Sequence, residues 1–565
     1  MSDVTNAESA AMPAKASKAL RNAATLLVVR DAPAGMEVLM LRRPERAGDR
    51  YSGASVFPGG VLEADDRSLY PLCVGLDDSA ASARLGVGAH GLDYFVAAIR
   101  ECFEEAGLLF ACGQGGEMAD LDAAQLPTWR SRLQAGETNL GEMCRQLQLR
   151  LAVDRLVYHS HWLTPPGLPK RFDTRFLLAV APSAQTVLHD GREAVQHFWL
   201  RPADALARAH ALKVRLATQR TLQSLSAFAS AGACYEQALG LRDIEVMMPR
   251  LGMAAAGSRP LLPDEPAYAE VARMDPEGRG DVSCEIAHGR AVRLSERVIR
   301  VTAPNGNVMT GPGTNSYLVG SAGKNEWAVI DPGPDMEEHV QAIVAAAPGP
   351  IRWIVVTHTH RDHSPAAARL KSLTGALVYG QRAPDQEWQD SAFEPDRLLA
   401  DGERIAVGAA STLQVVHTPG HASNHLCYLL VEEKTLFTGD HVMQGSTVVI
   451  SPPDGDMAAY LASLAALLQE DLQWIAPGHG HLMDRPRQVI EKTIAHRLAR
   501  EAKVIEALRA MAPADIDALL PRVYDDVPVR MHPVAKRSLL AHLIKLTHDD
   551  IVFEREGLWQ IRAGG

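Results

Sequence analysis

The sequence predicts a multidomain protein of mixed α/β and α+β class. At 565 residues the chain is too long for one hydrophobic core, and at roughly 100–200 residues per domain about three domains are expected. Its apolar runs are short, end at Gly, Pro, Asp or His, and alternate with segments of helical periodicity. The composition, 47% hydrophobic and 22% charged, is that of a folded globular chain. Together these observations indicate sheets layered with helices.

Charge and cysteine usage exclude several classes of protein. With 57 Lys and Arg against 68 Asp and Glu, the net charge of −11 argues against a surface that binds nucleic acid throughout. Seven dispersed cysteines without a C-x-x-C pair fit a reducing compartment, and they exclude a disulfide framework or a cysteine-based zinc site. The first twenty residues lack the apolar core of a signal peptide, and no apolar run approaches the ~18 residues of a membrane span. We therefore expect a cytoplasmic protein without a membrane partner.

Composition and periodicity divide the chain into five segments. Residues 1–20 form an Ala/Ser-rich flexible tail, and residues 21–240 combine strands such as AATLLVVR with the helical LDYFVAAIRECFEEAGLL. Residues 241–290 are rich in Pro, Gly and charge, which is typical of a linker. Residues 291–486 contain short buried strands with polar ends, and residues 487–565 contain two helical stretches before the hairpin-like IVFEREGLWQIR.

The strongest chemical signal is Thr-His-Thr-His-Arg-Asp-His at residues 357–363, directly after the apolar strand Trp353–Val356. Four potential metal ligands lie in this stretch: His358, His360, Asp362 and His363. Ser364 and Pro365 then predict an N-cap and the first position of a helix. A loop from strand to helix can bring all four side chains to one point, and imidazole with carboxylate suits Zn²⁺, with Fe or Mn as alternatives.

Three later motifs repeat this arrangement. His421 closes HTPGH, Asp440 closes LFTGD, and His479 lies in IAPGHG, each at the end of an apolar run beside Gly. Four further histidines lie near these positions, and we expect them to support ligands or to face solvent rather than to bind metal: His417, His425, His441 and His481.

The series THTHRDH, TPGH, TGD and PGHG, preceded by VIDPGP, resembles the metallo-β-lactamase fold hydrolases over 293–485. This resemblance implies an αββα sandwich with two metal ions. It assigns the first ion to His358, His360 and His421, the second to Asp362, His363 and His479, and the bridging position to Asp440. Asp331 would orient a ligand. The opening TAPNGNVMTGPGTNSYLVG and the tail after Arg487 are similar to the β-lactamase-like protein 2 group, which implies a C-terminal winged helix and includes a single-strand endoribonuclease.

The resemblance also implies a mechanism. Two Zn²⁺ ions (or Fe or Mn) about 3.5–4 Å apart would lower the pKa of a shared water to about 7. The bridged hydroxide would attack an ester, a thioester or a phosphodiester. Asp362 and Asp440 are the expected catalytic carboxylates, because they partly neutralise the ionic charge and keep the hydroxide reactive.

A second candidate site lies on the helix that contains Arg100-Glu101-Cys102-Phe103-Glu104-Glu105. Glu101, Glu104 and Glu105 share one face at spacings of three and four, where like charges cost roughly 0.2–0.5 kcal/mol per pair. Mg²⁺ or Mn²⁺ would offset this repulsion, although a solvated acidic face is an equally good account from the residues alone.

This helix, with Val-Phe-Pro-Gly-Gly upstream at 56–60, resembles the Nudix box G-x5-E-x7-R-E-U-x-E-E-x-G-U. Here Gly60 and Arg100 are 40 positions apart, so the box is split by an insertion, and its first acid is either Glu63 or Asp66. The split box, TPPGLPKRFDTRFLLA and HDGREAVQHFWLRPADAL are similar to the acyl-CoA diphosphatase subgroup. That implies an α/β/α sandwich with Mg²⁺ or Mn²⁺ at the metal ligands Glu101, Glu104 and Glu105.

In this resemblance Glu104 and Glu105 also act in catalysis, Glu193 is a candidate base, and Arg171 a candidate phosphate contact. The combined prediction is a bifunctional metal-dependent hydrolase. One site would act on an ester, thioester or phosphodiester, and the other on a CoA-type or nucleoside-diphosphate-linked pyrophosphate. The expected partners are small molecules of these classes.

The alternative is an RNA-binding or endoribonuclease protein with a non-catalytic Nudix recognition domain, in which single-stranded RNA is the partner. Lys536, Arg537 and Lys545 would then form a basic patch on a helix of the C-terminal segment.

Overall fold

The structure is a computed structural model that describes residues 20–48, 51–120, 126–320, 326–382, 384 and 387–562. The flexible tail predicted for residues 1–20 falls almost wholly outside these ranges. The chain forms two compact units that divide between Pro249 and Arg250.

The first unit contains a mixed sheet and its covering helices. Its strands are β1 (Arg21–Ala32), β2 (Gly35–Arg42), β3 (Ser55–Val56), β4 (Gly59–Val61), β5 (Ala111–Cys112), β6 (Arg150–Leu151), β7 (Val157–Leu163), β8 (Phe172–Val180), β9 (Gln196–Leu200) and β10 (Val246–Met247). Its helices are α1 (Asp78–Leu85), α2 (Leu92–Ala106), α3 (Leu126–Gln134), α4 (Leu140–Gln146), α5 (Pro202–Ala207), α6 (Leu216–Leu225) and α7 (Ala231–Gly240), with 3-10 turns at Ala64–Leu72 and Val153–Arg155.

The sheet order is β10-β7-β8-β1-β2-β3, with β4 beside β1 and β9 beside β2. Strand β1 pairs parallel with β8 and antiparallel with β2. Leu26 and Val28 on one face of β1 pack with Phe95 and Ile99 of α2 in the main core of the unit. Helix α7 packs against β7 and β8. The apolar periodicity that predicted α2 is therefore the face that the helix buries against the sheet.

The second unit contains most of the remaining elements. Its strands are β11 (Arg250–Ala254), β12 (Gly257–Leu261), β13 (Ala291–Arg293), β14 (Val298–Thr302), β15 (Asn315–Gly320), β16 (Trp327–Ile330), β17 (Ile351–Val355), β18 (Leu377–Gly380), β19 (Arg397–Leu398), β20 (Arg404–Val407), β21 (Ser411–His417), β22 (Leu426–Leu430), β23 (Thr435–Gly439), β24 (Trp474–Pro477), β25 (Val552–Arg555) and β26 (Leu558–Ile561). Its helices are α8 (Tyr268–Met274), α9 (Glu337–Ala346), α10 (Ala367–Thr374), α11 (Met457–Leu467), α12 (Pro486–Met511), α13 (Ile516–Val523) and α14 (His532–His548), with 3-10 turns at Val431–Glu433 and Val529–Met531.

Two sheets pack face to face in this unit. One has the order β13 to β19 and the other β20 to β24. Their inner faces share one core that includes Tyr317 and Val355 from the first sheet and Val415, Tyr428 and Phe437 from the second. Helices α9 and α10 cover the outer face of the first sheet, and α11 and α12 cover that of the second. This is the four-layer αββα sandwich that the sequence predicts, and the multidomain class is confirmed.

The segment 241–290, predicted as a linker, contains β11, β12 and α8 and has a small apolar core of its own. Glu270 of α8 forms a buried ion pair with Arg300 of β14. The segment is therefore part of the second unit from Arg250 onward. Its Pro and Gly content reflects tight turns between short elements rather than an extended connection.

The C-terminal part packs α12, α13 and α14 with the hairpin β25–β26 around a separate core. Leu508, Leu519 and Leu539 bring one side chain from each helix into it. The arrangement of helices followed by a small hairpin is that of a winged helix, as predicted. Among the residues that the structure describes, no helix is both long and apolar enough to cross a bilayer.

Candidate metal centre

The predicted ligands of the second unit all follow ends of strands at one edge of the sandwich. The stretch from His358 to His363 comes after β17, His421 after β21, Asp440 directly after β23, and His479 after β24. These strands are mostly apolar because the sandwich covers them, and the ligand-type side chains lie beyond their ends. The sandwich thereby brings together residues as far apart in sequence as His358 and His479, which are 121 positions apart.

The structure brings all seven residues together in two groups whose ligand atoms lie within 4.8 Å of one another. The groups are His358, His360 and His421, and Asp362, His363, Asp440 and His479. In the first group, Nδ1 of His360 is 3.0 Å from Nε2 of His358 and 3.0 Å from Nε2 of His421. In the second, Nε2 of His479 is 3.2 Å from Oδ1 of Asp440. Asp440, for which the resemblance implied a bridging position, lies in the second group, and its Oδ2 is 3.8 Å from Nε2 of His421 in the first.

Neighbouring groups fix the ring orientations. Oδ2 of Asp331 lies 2.9 Å from Nδ1 of His363, and the same carboxylate accepts hydrogen bonds from the backbone N–H and the hydroxyl of Thr357. Nδ1 of His421 lies 2.7 Å from the carbonyl of Val449, and Nδ1 of His479 lies 3.1 Å from the carbonyl of Gly313. In each ring the other nitrogen is then free to face the centre. Asp331 thus has the orienting contacts that we expected of it.

The first group consists of neutral imidazoles. Burial lowers the pKa of His360 to about 3, and the neighbouring His421 adds to this effect. Burial also lowers the pKa of His421, and together with the nearby His363 it holds that of His358 well below the ordinary range. Neutral nitrogen is the form that binds metal ions.

The second group is strongly polarised. Burial alone would raise the pKa of Asp440, yet His479 and His363 hold it well below its ordinary value. Burial alone would lower the pKa of His479, but the carboxylates of Asp440 and Asp362 raise it to about 10. Two buried carboxylates therefore attract positive charge to this half of the centre.

The four nearby histidines are placed outside the two groups. His425 is fully buried, its Nδ1 lies 2.9 Å from the Thr418 hydroxyl, and its ring stacks on His358. His441 is fully buried beside Tyr460, and His417 is exposed. His481 contacts Glu270 at 3.3 Å.

Two contributing residues were not anticipated from the sequence. Thr314 donates a hydrogen bond from its hydroxyl to Asp362 at 3.2 Å. Glu270 accepts hydrogen bonds from Arg300 and from the backbone N–H of Leu482, close to His479. Glu270 occurs in AYAEVARM, whose helical period was the available signal inside the Pro- and Gly-rich segment.

In the first unit the carboxylates of α2 lie against β4. Oε2 of Glu105 accepts a hydrogen bond from the backbone N–H of Gly59 at 3.0 Å, and a Cβ atom at Gly60 would lie 2.2 Å from Oε1 of Glu101. The glycines therefore leave room for the acidic side chains. Glu101, Glu104 and Glu105 do not meet the 4.8 Å spacing that gathers the ligands of the second unit.

These carboxylates raise one another's pKa. Burial raises the pKa of Glu105 to about 8, and Glu101 and Glu193 contribute in the same direction. Burial likewise raises the pKa of Glu104 to about 7, and Glu63 contributes there. Such a cluster is stabilised by a bound cation, which would let the carboxylates ionise at neutral pH.

Contacts of Arg100 distinguish the two candidates for the first acid of the split box. Asp66 is buried, and its carboxylate accepts hydrogen bonds from Nε and Nη2 of Arg100 at 2.8 and 3.3 Å. Glu63 is more exposed and lies 3.9 Å from Arg100. Asp66 therefore holds Arg100 in place, whereas Glu63 is the acid that remains accessible beside Glu101 and Glu104. Arg171, a candidate phosphate contact, donates instead to the carbonyl of Thr164.

The basic patch predicted on the C-terminal helix is largely neutralised. Lys536 pairs with Asp517 at 2.5 Å, and Lys545 pairs with Glu501 at 2.9 Å and with Asp549. Arg537 lies over the ring of Trp388. Two of the three cations are thus engaged within the protein.

Three family models match the chain. The one described as "Metallo-beta-lactamase superfamily" matches residues 309–479, "NUDT19 Nudix domain" matches 88–222, and "Beta-lactamase associated winged helix domain" matches 516–559. The first range includes the seven residues of the metal centre, and the second includes the acidic helix. The third runs from the start of α13 into the last strand of the C-terminal hairpin.

Named relatives match nearly half of the chain. A "Beta-lactamase-like protein 2 homolog" from Caenorhabditis elegans is 30% identical over 267 residues, which is 46% of this chain and 87% of that protein. An "Atrochrysone carboxyl ACP thioesterase" from Aspergillus chevalieri is 33% identical over 283 residues, 47% of this chain and 86% of that protein. Among solved structures, a NUDIX hydrolase from Alicyclobacillus acidocaldarius is 27% identical with a TM-score of 0.33 and covers 39% of this chain and 96% of its own.

Proposed function

The chain belongs to the metallo-β-lactamase superfamily and carries a Nudix domain, and from this premise we propose that it is a bifunctional hydrolase whose histidine–aspartate centre cleaves thioesters. The observation that carries the proposal is the convergence of seven nitrogen and oxygen donors into two adjoining groups. Relatives named as thioesterases favour a thioester over other acyl substrates.

The donor set fits two divalent cations. His363 Nε2 and Asp440 Oδ1 are buried 3.4 Å apart, and neither atom has a partner in hydrogen-bond geometry, so both retain an unused lone pair or proton inside the centre. Three neutral imidazoles on one side and two carboxylates with two imidazoles on the other are ligand types suited to zinc, iron or manganese. His358, His360 and His421 would hold one cation, Asp362, His363 and His479 the other, and Asp440 would lie between them.

When bound, the cations would supply Lewis acidity and lower the pKa of a coordinated water. The chain's own residues then have distinct tasks. Asp331 keeps His363 in one orientation, and Thr314 restrains Asp362. The carboxylates of Asp362 and Asp440 reduce the net charge of the occupied site, which favours release of a carboxylate product.

The alternative with an RNA substrate receives less support. A patch that binds phosphates needs accessible cations, and Lys536 and Lys545 are paired with carboxylates. A small acyl substrate does not need a patch of accessible cations. We therefore place RNA second.

For the first unit we propose hydrolysis of a pyrophosphate in a CoA-type or nucleoside-diphosphate substrate. Glu101, Glu104 and Glu105 would hold Mg²⁺ or Mn²⁺, and Glu63 and Glu193 lie close enough to affect the pKa values of these groups. The cation would screen the diphosphate charge. Glu193 is held in a turn by its backbone N–H bond to Asp190 and is the candidate base.

The test of the metal centre is the substitution Asp440→Asn. Wild-type protein should contain about two transition-metal ions per chain by elemental analysis. The variant should lose at least one of them, and thioester hydrolysis should fall by at least about 100-fold, because even outer contacts of metal ligands are worth about 10–100-fold. Asp471→Asn, at an exposed carboxylate paired with Lys434, is the control and should change neither. Wild-type protein that binds no metal after reconstitution would contradict the proposal.

The test of the first unit is Glu104→Gln, with the exposed Glu137→Gln as control. Mg²⁺-dependent cleavage of a CoA-type substrate into adenosine 3′,5′-bisphosphate and a 4′-phosphopantetheine should be abolished only in the first variant. Equal turnover in both variants would remove Glu104 from the ligand set.

A further inference from the structure

Helix α12 contains a buried cation without a carboxylate partner. Arg497 is 3% exposed, and no carboxylate of the described residues lies within 4.0 Å of its guanidinium. Arg500, one turn later on the same helix, is also buried but pairs with Asp526 at 2.7 Å. Burying an unpaired charge costs several kcal/mol, so the stability of the fold does not account for Arg497.

The guanidinium of Arg497 contacts two groups outside its own helix. Nη2 donates a hydrogen bond to the carbonyl of Val448, and the guanidinium carbon lies 5.3 Å from the ring centre of Tyr460 on α11. Nε makes no hydrogen bond. Neither contact supplies a negative charge: the carbonyl is a neutral acceptor, and the ring of Tyr460 attracts the cation only through its π face.

The first contact leads to a metal-ligand candidate. Val449, the residue after Val448, accepts a hydrogen bond from Nδ1 of His421 at 2.7 Å through its carbonyl. The next residue, Ile450, donates its backbone N–H to the hydroxyl of Ser538 on α14 at 3.2 Å. The irregular segment 448–450, whose middle carbonyl orients His421, is therefore held at one end by Arg497 of α12 and at the other by Ser538 of α14.

The second contact leads to the bridging position. The hydroxyl of Tyr460 donates to the carbonyl of His441 at 2.9 Å, and His441 directly follows Asp440. The backbone of Gly420, beside His421, lies so close to Tyr460 that a Cβ atom would be 2.4 Å from the Tyr460 Cα. Arg497 thus touches the supports of two of the seven candidate ligands.

The orientation of His421 depends on the Val449 carbonyl. With Nδ1 donating to that carbonyl, Nε2 is the nitrogen that faces the centre, 3.0 Å from Nδ1 of His360 and 3.8 Å from Asp440. If the Val449 carbonyl shifted, the ring of His421 would rotate, or Nδ1 instead of Nε2 could face the centre. Such outer contacts typically change metal affinity by about 10–100-fold.

We propose that Arg497, assisted by Ser538, is a positioning residue of the metal centre, through which the C-terminal helices set the orientation of His421 and support Asp440. The inference rests on the proposed function, because it requires that the centre holds cations. The winged-helix part of the chain is then a component of the hydrolytic site rather than a separate binding module.

The experiment uses the full chain with Arg497→Met and Arg497→Lys, and Arg500→Met as a control of equal burial. Zn²⁺ affinity is measured by competition with a chromophoric chelator, and the absorption spectrum is recorded after loading with Co²⁺. Arg497→Met should lower the affinity for one of the two Zn²⁺ ions about 10–100-fold and change the Co²⁺ spectrum. The melting temperature of this variant should equal or exceed that of wild type. Arg497→Lys keeps a donor for Val448 and should recover part of the affinity.

Arg500→Met should show the opposite behaviour, with lower stability because Asp526 loses its partner, and with wild-type Zn²⁺ affinity and Co²⁺ spectrum. If Arg497→Met binds both ions as wild type does, with an unchanged spectrum, the positioning role is overturned and the proposed function stands. If wild-type protein itself binds no ion, the proposed function fails first.

If Arg497→Met does not fold, the proposal is tested by the Zn²⁺ affinities and Co²⁺ spectra of Ser538→Ala and Arg497→Lys. Weaker binding of one ion in either folded variant supports the proposal, and wild-type affinity and spectrum in both overturn it.

Discussion

Asp331 is the residue on which the orientation of the second ligand group depends. It has a positive φ of 51°, and its carboxylate joins the end of β17 at Thr357 to the ring of His363. This left-handed backbone conformation turns the chain directly after β16 and directs the Asp331 carboxylate towards Thr357 and His363. Only Gly, Asn and Asp adopt this conformation routinely, so Asn can replace it without strain in the backbone.

We therefore expect Asp331→Asn to fold normally and to bind one metal ion about 10–100-fold more weakly, because His363 loses its charged acceptor. Metal titration against a chelator measures the effect. Asp335→Asn, four residues away at an exposed carboxylate that pairs with Arg369, is the matched control. Equal affinities in the two variants would show that His363 needs no charged partner.

Glu270 gives the stability of the second unit a dependence on pH. Burial alone would raise its pKa, but Arg300 and His481 lower the pKa of Glu270 from 4.5 to about 2. A lowered pKa in the folded state means that the stabilisation is complete above pH 4.5 and is lost as the pH falls towards 2. The shift corresponds to a contribution on the order of 3 kcal/mol.

Glu270→Gln should cost about 3–5 kcal/mol at pH 7, because Arg300 is left buried without a partner. The difference from wild type should narrow below pH 4.5, because the unfolded wild-type chain then binds a proton at Glu270, whereas the folded chain keeps this carboxylate charged until the pH approaches 2. Denaturant unfolding at pH 7, 5 and 3.5 measures both effects, with the exposed Glu277→Gln as control. A difference that does not change with pH would contradict the assignment.

At the scale of elements, β4 and α2 together build the acidic site of the first unit. The Nudix-like helix brings its carboxylates against a strand of glycines, and the backbone of Gly60 runs where a side chain would meet Glu101. The separation of these two elements in sequence, caused by the insertion between them, therefore has not separated them in space.

Gly60→Ala should displace the Glu101 carboxylate, because the new Cβ would lie 2.2 Å from Oε1, while the end of a flexible side chain can move without unfolding the helix. Mg²⁺-dependent pyrophosphate hydrolysis should fall at least about 10-fold. Gly88→Ala, where nothing lies within 4 Å of the added carbon, should leave activity unchanged. Wild-type activity in Gly60→Ala would remove Glu101 from the site.

The elements that could be predicted from the sequence are those whose signals are local. The apolar period of the segment agrees with α2. A helix does follow Ser364 and Pro365, but the predicted N-cap is wrong: α10 begins at Ala367 with Ala366 as its N-cap, and the hydroxyl of Ser364 donates to Asp390 instead. The ligand candidates could be predicted because they are His and Asp side chains that stand at the ends of apolar runs in the sequence. The Val449 carbonyl has no signature in the sequence, and the role of Glu270 exists only once Arg300, 30 residues away, is folded beside it.

At the scale of the whole molecule, the boundary between the two units determines how the chain can be divided. The contacts of Glu270 place the segment from Arg250 in the second unit, so the boundary falls within the first ten residues of the Pro- and Gly-rich segment 241–290.

A fragment of residues 250–565 should fold and bind metal like the full chain, whereas one of residues 291–565 should be unstable because Arg300 stays buried without Glu270. Thermal unfolding and metal content of the two fragments measure this. A residue 291–565 fragment as stable as the longer one would restore the linker interpretation.

The seven donors of the metal centre have a consequence for the cell that makes the protein. They are all imidazole and carboxylate groups, so hard–soft matching does not single out one transition metal. Which metal ion binds would then depend on the coordination geometry and on the ions that are abundant while the chain folds. If the proposed function is right, chain produced in medium with iron or manganese in place of zinc should contain one of those ions at the same seven donors.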